Sequence, residues 1–418
     1  MSRFRSSLIV ILVAGAWSFT ASAGEAVPGG TLESLLAYAR DRNPEIAAMR
    51  FEADAAGERV VPAGALPDPK FRTEFRDITR MGEQKATLAP SQVGSTKYLL
   101  MQDIPWYGKR DLKREIAEQE AEGARGRAQG AWSEVAARIK TTYAQLFYVQ
   151  RDAALTQEIL DLMVRVEKVA QVRYAGGLAA QQDVIRAQVE QTAMRNELLA
   201  LENERHHLRG RMNALLARPA GAPLADPAAA RPLPAPARLD QATLEDRLQA
   251  KNPQLFADDA RIRAAEKGRD LTYRNRYPDF TVGVSPIQYQ SSVKEWELMV
   301  EMNIPLQWSS RRAQERESEA MLAAARARKD ATTWQLLAEL GSLETARRSE
   351  LLASNQLLPQ AETAFRAALA GYENGKVDFA TLLEAQRQIR QAKRSQLKAQ
   401  TEAQMRLADI ERLLGEEL

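Results

Sequence analysis

The chain has 418 residues, 6% of them aromatic, with 58 Lys and Arg against 55 Asp and Glu. So even a charge balance argues against a nucleic-acid partner, and the abundance of Ala, Leu, Glu, Arg and Gln favours long helices over a compact α/β body. There is no cysteine, which excludes disulfides and a lipid-bearing cysteine behind a leader.

Residues 1–23 read as a secretory signal peptide: Arg3 and Arg5, an apolar core from Leu8 to Trp17, then Ala21-Ser22-Ala23 as the cleavage site. The core is short for a spanning helix. After a glycine-containing lead, Thr31 to Arg42 is expected to be helical. Asn43-Pro44 fits an N-cap followed by proline at the first helical position, opening a helix to about Val61. Past Leu66-Pro67-Asp68 the period changes to two: Phe71, Thr73 and Phe75 alternate with Arg72, Glu74 and Arg76. A second strand is expected at about Ser95 to Ile104, with Ile78 to Gly94 as the hairpin loop. Pro105 cannot donate to a ladder and marks the exit from the sheet. Trp106, Tyr107, Lys109 and Arg110 follow, a mixture suited to a membrane–water interface. A helix from about Arg110 to Tyr174 would span about 90–100 Å, more than any globular core needs. The turn Tyr174-Ala175-Gly176-Gly177 ends it, and a returning helix runs from about Ala180 to Leu216.

The same order then recurs. Thr243-Leu244-Glu245 echoes Thr31-Leu32-Glu33, Asn252-Pro253 echoes Asn43-Pro44, and Tyr277-Pro278-Asp279 echoes Leu66-Pro67-Asp68. Strands are expected from Phe280, with Val282 and Val284, and at about Glu295 to Ile304, separated by a loop from Tyr289 to Lys294. In the latter, Trp296, Leu298, Val300, Met302 and Ile304 share one face, while Glu295, Glu297 and Glu301 share the other. A long helix from about Arg311 to Tyr372 carries Pro359, which should kink it. Tyr372-Glu373-Asn374-Gly375 repeats the tip, and a helix returns from about Phe379 to Leu414. Ala217 to Asp240, with six prolines, reads as a linker. The expected division is therefore a signal peptide 1–23, a first repeat 24–216, a linker 217–240 and a second repeat 241–418.

Strands of about ten residues fit a tilted membrane strand. Four of them cannot close a barrel, and open edges are not tolerated in lipid. The chain must therefore oligomerise if the strands enter a membrane; a trimer would supply twelve strands and a pore. The expected fold is mainly α with a membrane β-barrel.

Arg173-Tyr174 through Gly177-Leu178 to Asp183-Val184, Tyr372 through Gly375 to Leu382-Leu383-Glu384-Ala385-Gln386, and the duplicated Asn-Pro and Ile-Pro landmarks resemble the TolC-type outer membrane efflux protein family over the whole mature chain. The resemblance implies long α-helical hairpins forming a periplasmic tunnel, and four β-strands per chain completing a twelve-stranded barrel in a homotrimer. Gln102-Asp103-Ile104-Pro105-Trp106-Tyr107-Gly108-Lys109-Arg110 is similar to a segment of the heavy-metal (CzcC/CusC-like) branch. That branch implies an exit duct in the outer membrane lipid, working with a periplasmic adaptor (membrane fusion) protein and an inner-membrane resistance-nodulation-division pump to expel metal cations. Within the same fold a type I secretion or multidrug duct is the nearest alternative. A soluble periplasmic coiled-coil scaffold is a different class, and it needs no paired ten-residue strands.

No phosphate loop, nucleophile–base pattern, cofactor motif or metal-ligand spacing is present, so neither an enzyme nor a resident metal is expected. His206 and His207 sit on adjacent helix positions and point about 100° apart. Met101, Met299 and Met302 are read as packing or lipid contacts rather than soft-metal ligands. The candidate site is instead the pair of tips. By resemblance, Asp183, Tyr372 and Glu384 match a periplasmic gate, where three copies of each carboxylate would attract cations. Thr381 stands where a second aspartate is found in well-known members. A bond from the Tyr372 hydroxyl to Asp183 would hold two hairpins together. Arg173, Tyr174, Gly176, Gly177, Leu178, Gly375 and Lys376 are expected to dock the adaptor, and Glu295, Glu297 and Glu301 to line the barrel lumen.

Overall fold

A computed structural model describes residues 27–79, 81–83, 85–340 and 351–418. The expected signal peptide lies outside them. Helices α1 (Leu32–Arg42), α2 (Pro44–Glu58) and α3 (Val60–Gly64) lead into strands β1 (Lys70–Arg76) and β2 (Ser95–Ile104), then α4 (Lys109–Ala175) and α5 (Gln181–Leu215). The second half supplies α6 (Gln241–Lys251), α7 (Pro253–Arg274), β3 (Phe280–Tyr289), β4 (Ser292–Met302), α8 (Trp308–Leu340), α9 (Leu358–Glu373) and α10 (Phe379–Leu414).

The duplicated Asn-Pro pairs start α2 and α7 as expected, and they do more. Asn43 Oδ1 accepts from the N–H groups of Glu45 and Ile46, while its Nδ2 donates to Leu215 O at 2.8 Å. Asn252 caps Gln254 and Leu255, and its Nδ2 donates to Leu413 O at 2.6 Å. Each buried amide thus ties the opening of its repeat to the end of that repeat's returning helix. Asn252→Ala removes a cap and leaves a carbonyl unpaired, and should cost about 1–3 kcal/mol in a chemical melt followed by helical circular dichroism. A change below the error of the melt would deny the amide this role.

The four strands form one antiparallel sheet in the order β1-β2-β3-β4, so the two repeats meet at the β2–β3 pair. Cross-strand partners share a face, and the registers separate most of the apolar residues from the charged ones, with Leu99, Met101, Ile287 and Met299 interleaved on the charged face. Phe71 and Phe75, Leu100 and Ile104, Val282 and Val284, and Trp296, Leu298 and Val300 fall on one face. Lys70, Arg72, Glu74 and Arg76, Lys97 and Asp103, and Glu295, Glu297 and Glu301 fall on the other. Leu298 is 75% exposed and Trp296 71% exposed, which a water-facing sheet would not sustain across neighbouring strands. The last strand begins three residues earlier than expected and ends before Ile304, so the expected loop shrinks to Gln290 and Ser291. A bulge at Ile287/Gln288 re-registers the ladder there, and Gln290 takes φ 54° in the turn.

Helix α4 has 67 residues, about 100 Å at 1.5 Å per residue. Small residues bring α7 close to it: a Cβ on Gly126 would lie 2.9 Å from the Phe256 ring and 3.0 Å from Pro253 O. Among the described residues no helix is long and apolar enough to cross a membrane. Of the expected helix from Arg311 to Tyr372, residues 341–350 lie outside the described residues; beyond them a π-helical turn, Ala353–Leu357, stands directly before α9. Pro359 lacks the N–H that residue 355 would otherwise bond, and the widened turn absorbs the loss. Trp132 of α4 packs on the first core beneath Arg40, whereas Trp334 of α8 is 73% exposed.

Among the described residues three hydrophobic clusters hold the chain. One gathers Leu35, Ile46, Ile139 and Met212 of the first repeat, and a second gathers Leu248, Leu255, Leu336 and Leu414 of the other. The third joins both hairpins. The proline-rich connection is not a free tether. Ala225 N donates to Pro28 O, Leu224 is buried, and Arg231 pairs with Glu411 on α10.

Candidate functional site

Both tips close in the same way. Leu178 N donates to Arg173 O at 2.7 Å and Lys376 N to Gly371 O at 2.8 Å, the six-residue closure of a Schellman turn. Gly177 at φ 69° and Gly375 at φ 72° supply the left-handed residue each closure needs. Asp378 accepts from Thr381 N at 2.9 Å and so starts α10.

The tips are held against each other by Arg173. Its Nη1 donates to Tyr372 O at 2.5 Å, and its Cζ lies 5.0 Å from the Tyr372 ring centroid. It also lies 3.4 Å from where a Cβ on Gly375 would stand, an ordinary contact, so the second tip needs glycine for its φ rather than for space. The Tyr372 ring is buried, edge-on to Phe379 with centroids 5.7 Å apart, among Met163, Val166, Met194 and Leu382. Burial raises its pKa above that of an ordinary phenol; Arg173 opposes the rise and Asp183 adds to it.

The expected bond between Tyr372 and Asp183 is not made within the chain. The phenol oxygen has no hydrogen-bond partner, because the ring is turned into the apolar core and Arg173 takes the cross-hairpin position. Asp183, half-buried in the first turn of α5, stands close enough to perturb the phenol. Glu384 is on the open surface of α10 and accepts from Gln388 Nε2 at 3.1 Å. The chain thus brings Arg173, Tyr372 and Asp183 together and leaves Glu384 apart from them. Among the expected docking residues, Tyr174, Gly176, Gly177, Leu178, Gly375 and Lys376 are exposed, while Arg173 is half-buried and turned inward.

Further along α10 the link continues as a ladder of arginines. Arg387 pairs with Glu190, Arg390 with Glu197 at 3.0 Å, and Arg394 with Glu197 at 2.5 Å and with the fully buried Asp152 at 2.9 Å. Their spacing of three and four residues lays them on one helix face, opposite glutamates seven residues apart on α5. That periodicity was available in the sequence, but nothing there says which helix would oppose it.

On the charged face of the sheet, Lys97 Nζ meets Glu297 at 2.5 Å, and Lys70 Nζ meets Asp103 at 2.7 Å. Glu295 accepts from the Tyr289 hydroxyl at 3.3 Å, and Glu301 is exposed. At the sheet exit, Lys109 Nζ donates to Tyr277 O and to Asp279 Oδ1, both at 2.8 Å, so the Gly-Lys-Arg segment of one repeat grips the Pro-Asp segment of the other. Among the described residues no group of three or more His, Asp or Glu is placed to hold a metal.

Residues 35–218 and 244–416 match the family model described as outer membrane efflux protein. The chain is 25% identical, over 92% of its length and 90% of the other's, to the cobalt-zinc-cadmium resistance protein CzcC of Cupriavidus metallidurans. Among solved structures it resembles the outer membrane protein VceC of Vibrio cholerae, with a TM-score of 0.78, 18% identity and coverage of 92% and 96% of the two chains. It also resembles CusC, with a TM-score of 0.76, 13% identity and 93% of each chain covered.

Proposed function

Since the chain belongs to the outer membrane efflux protein family, we propose that it works as a homotrimer, the exit duct of a tripartite system that expels heavy-metal cations. It is an outer membrane channel with a periplasmic helical tunnel. The observation that carries the proposal is the two-faced sheet: four strands, apolar on one side and charged on the other, joined directly to a helix of 67 residues. Three such sheets supply twelve strands, enough for a barrel with a lumen. The mature chain begins after Ala23, and repeats 24–216 and 241–418 each contribute two strands and one hairpin, joined by 217–240.

In this reading Glu295, Glu297 and Glu301 face the lumen. A periplasmic adaptor docks on the tips at Tyr174, Gly176, Gly177, Leu178, Gly375 and Lys376, and an inner-membrane resistance-nodulation-division pump drives transport. Asp183, Tyr372 and Glu384 form the periplasmic gate, with Arg173 as the latch between the hairpins. The metal specificity is supported by the likeness to the cobalt-zinc-cadmium resistance protein. Deleting the gene and growing the strain on metal cations and on organic toxicants tests it. Lost tolerance to cations such as zinc, cadmium or copper, with organic tolerance intact, is expected. The reverse pattern makes this a multidrug duct.

The latch gives a sharper expectation. Arg173→Ala removes a charge-assisted bond and a cation–π contact, together worth about 1–3 kcal/mol. The open population should rise by about tenfold or more, read as larger or more frequent conductance steps in a planar bilayer. Glu384→Gln should instead lower cation preference without widening the closed state. Wild-type conductance and selectivity in both variants would remove the gate assignment.

A further inference from the structure

The sheet has two open edges, and they carry opposite charge. β1 is one edge and β4 the other. On the charged face, β1 presents Lys70, Arg72, Glu74 and Arg76, three cations and one carboxylate in seven residues. β4 presents Glu295, Glu297 and Glu301 over the same length, with no cation between them. The inner strands are charge-matched within the chain: Lys97 is paired with Glu297, and Asp103 accepts from Lys70 and from Thr281 Oγ1 at 2.7 Å. The outermost charges have no close cross-strand partner. Among the described residues Arg76 and Glu301 make no hydrogen bond or ion pair through their side chains, and the nearest carboxylate to Arg72 is Glu74 of its own strand, at 3.6 Å.

We propose that the basic row of β1 in one copy pairs with the acidic row of β4 in the next, so that ion pairs on the lumen wall key the subunits together. The occupant of each edge is a second copy of this chain. Three features of the sheet select it. First, alternation through four antiparallel strands leaves β4 running opposite to β1, so the two edges of different copies meet as one more antiparallel ladder. Second, the contact is head-to-tail, with β1 of each copy left for the β4 of another, which is the arrangement that closes into a ring. Third, the signs are complementary on the lumen face. Opposite charges there stabilise the pairing, while β1–β1 or β4–β4 contacts would set like charges against each other. The edge backbone itself cannot discriminate between these pairings, because any strand satisfies its N–H and C=O groups.

The lumen wall is then a composite in which Glu295 and Glu301 of each copy face cations from its neighbour, while Glu297 stays paired with Lys97 of its own chain. Its field alternates in sign around the ring rather than being uniformly acidic. The barrel would contribute little cation selectivity of its own, and the carboxylates at the periplasmic end would set it.

This inference rests on the trimeric reading, and charge swaps separate the two. Arg72→Glu with Arg76→Glu reverses one row, and Glu295→Arg with Glu301→Arg reverses the other. The third variant carries all four substitutions. Each protein is extracted in detergent at low salt, and its trimer fraction is measured by sedimentation. Either row reversed alone should lower the trimer fraction about tenfold, and the four substitutions together should restore it to within about twofold of the natural chain. Half-swaps that trimerise like the natural chain overturn the keying while leaving the trimeric duct intact. A fourfold variant as depleted as either half-swap also overturns it. A natural chain recovered only as monomer removes the trimeric reading, and the keying falls with it.

Discussion

Replacing Glu411 by alanine should cost about 3–5 kcal/mol of folding stability. The side chain sits on α10 and is 4% exposed. Its carboxylate accepts from Arg231 through both guanidinium nitrogens at 2.6 Å, from Lys140 Nζ at 2.8 Å and from Leu418 N at 2.8 Å. Lys140 is itself buried, and its other partner is Glu417 at 3.3 Å. Alanine would leave two cations facing an empty space, which costs far more than the pair gains by forming. The loss would also remove one of the ties that hold the connection between repeats, the Arg231 ion pair.

A dependence on pH follows from the same contacts. Burial alone pushes the Glu411 carboxyl up, but Arg231, Lys140 and the Leu418 N–H outweigh it and hold the pKa below the usual range. A carboxylate with a depressed folded pKa contributes stability above its unfolded pKa of about 4.3, and that contribution is lost as pH falls through the folded value. The gap between wild type and Glu411→Gln in a chemical melt should therefore be large at neutral pH and close as the medium becomes strongly acidic. A gap that stayed constant with pH would place the effect in packing rather than in charge.

Leu298→Arg should block assembly in the outer membrane. A cation at the bilayer midplane on a barrel's outer face costs about 2–4 kcal/mol, and each trimer would carry three. Leu298 lies mid-strand opposite Val284, with Trp296 and Val300 beside it on the same face. Glu297→Gln, one residue away on the charged face, loses the ion pair with Lys97 but places no charge in lipid. It should assemble normally. Fractionation followed by heat-modifiability on a gel reads both. Equal assembly of the two variants would contradict the division of faces.

Much of this architecture is legible in the sequence because two periodicities are written into it. The alternation at Glu295–Glu301 and at Phe71–Arg76 gives the sheet and its two faces, and Asn43-Pro44 and Asn252-Pro253 give the helix starts. The glycines of both tips are legible for the same reason, since few residues tolerate positive φ. The tertiary partners are not legible. Arg173 reads as one of several exposed tip residues, yet it points into the second hairpin and clasps Tyr372. The hydroxyl of Tyr372 reads as a donor to Asp183, yet the ring's apolar area buries it among Phe379 and Leu382, with no acceptor for the oxygen. Spacing fixes which residues share a helix face, but not which face of another helix they meet across some two hundred residues. Arg231 shows the same limit, because a proline-rich stretch carries no periodicity from which an anchor could be read.

Four strands of each chain are expected to enter the outer membrane as one third of a closed barrel. The most direct measurement is the native mass of the species extracted intact from purified outer membranes. Three copies of the mature chain are expected. A mass of one or two copies, or recovery of the protein only from the soluble periplasmic fraction, would contradict it.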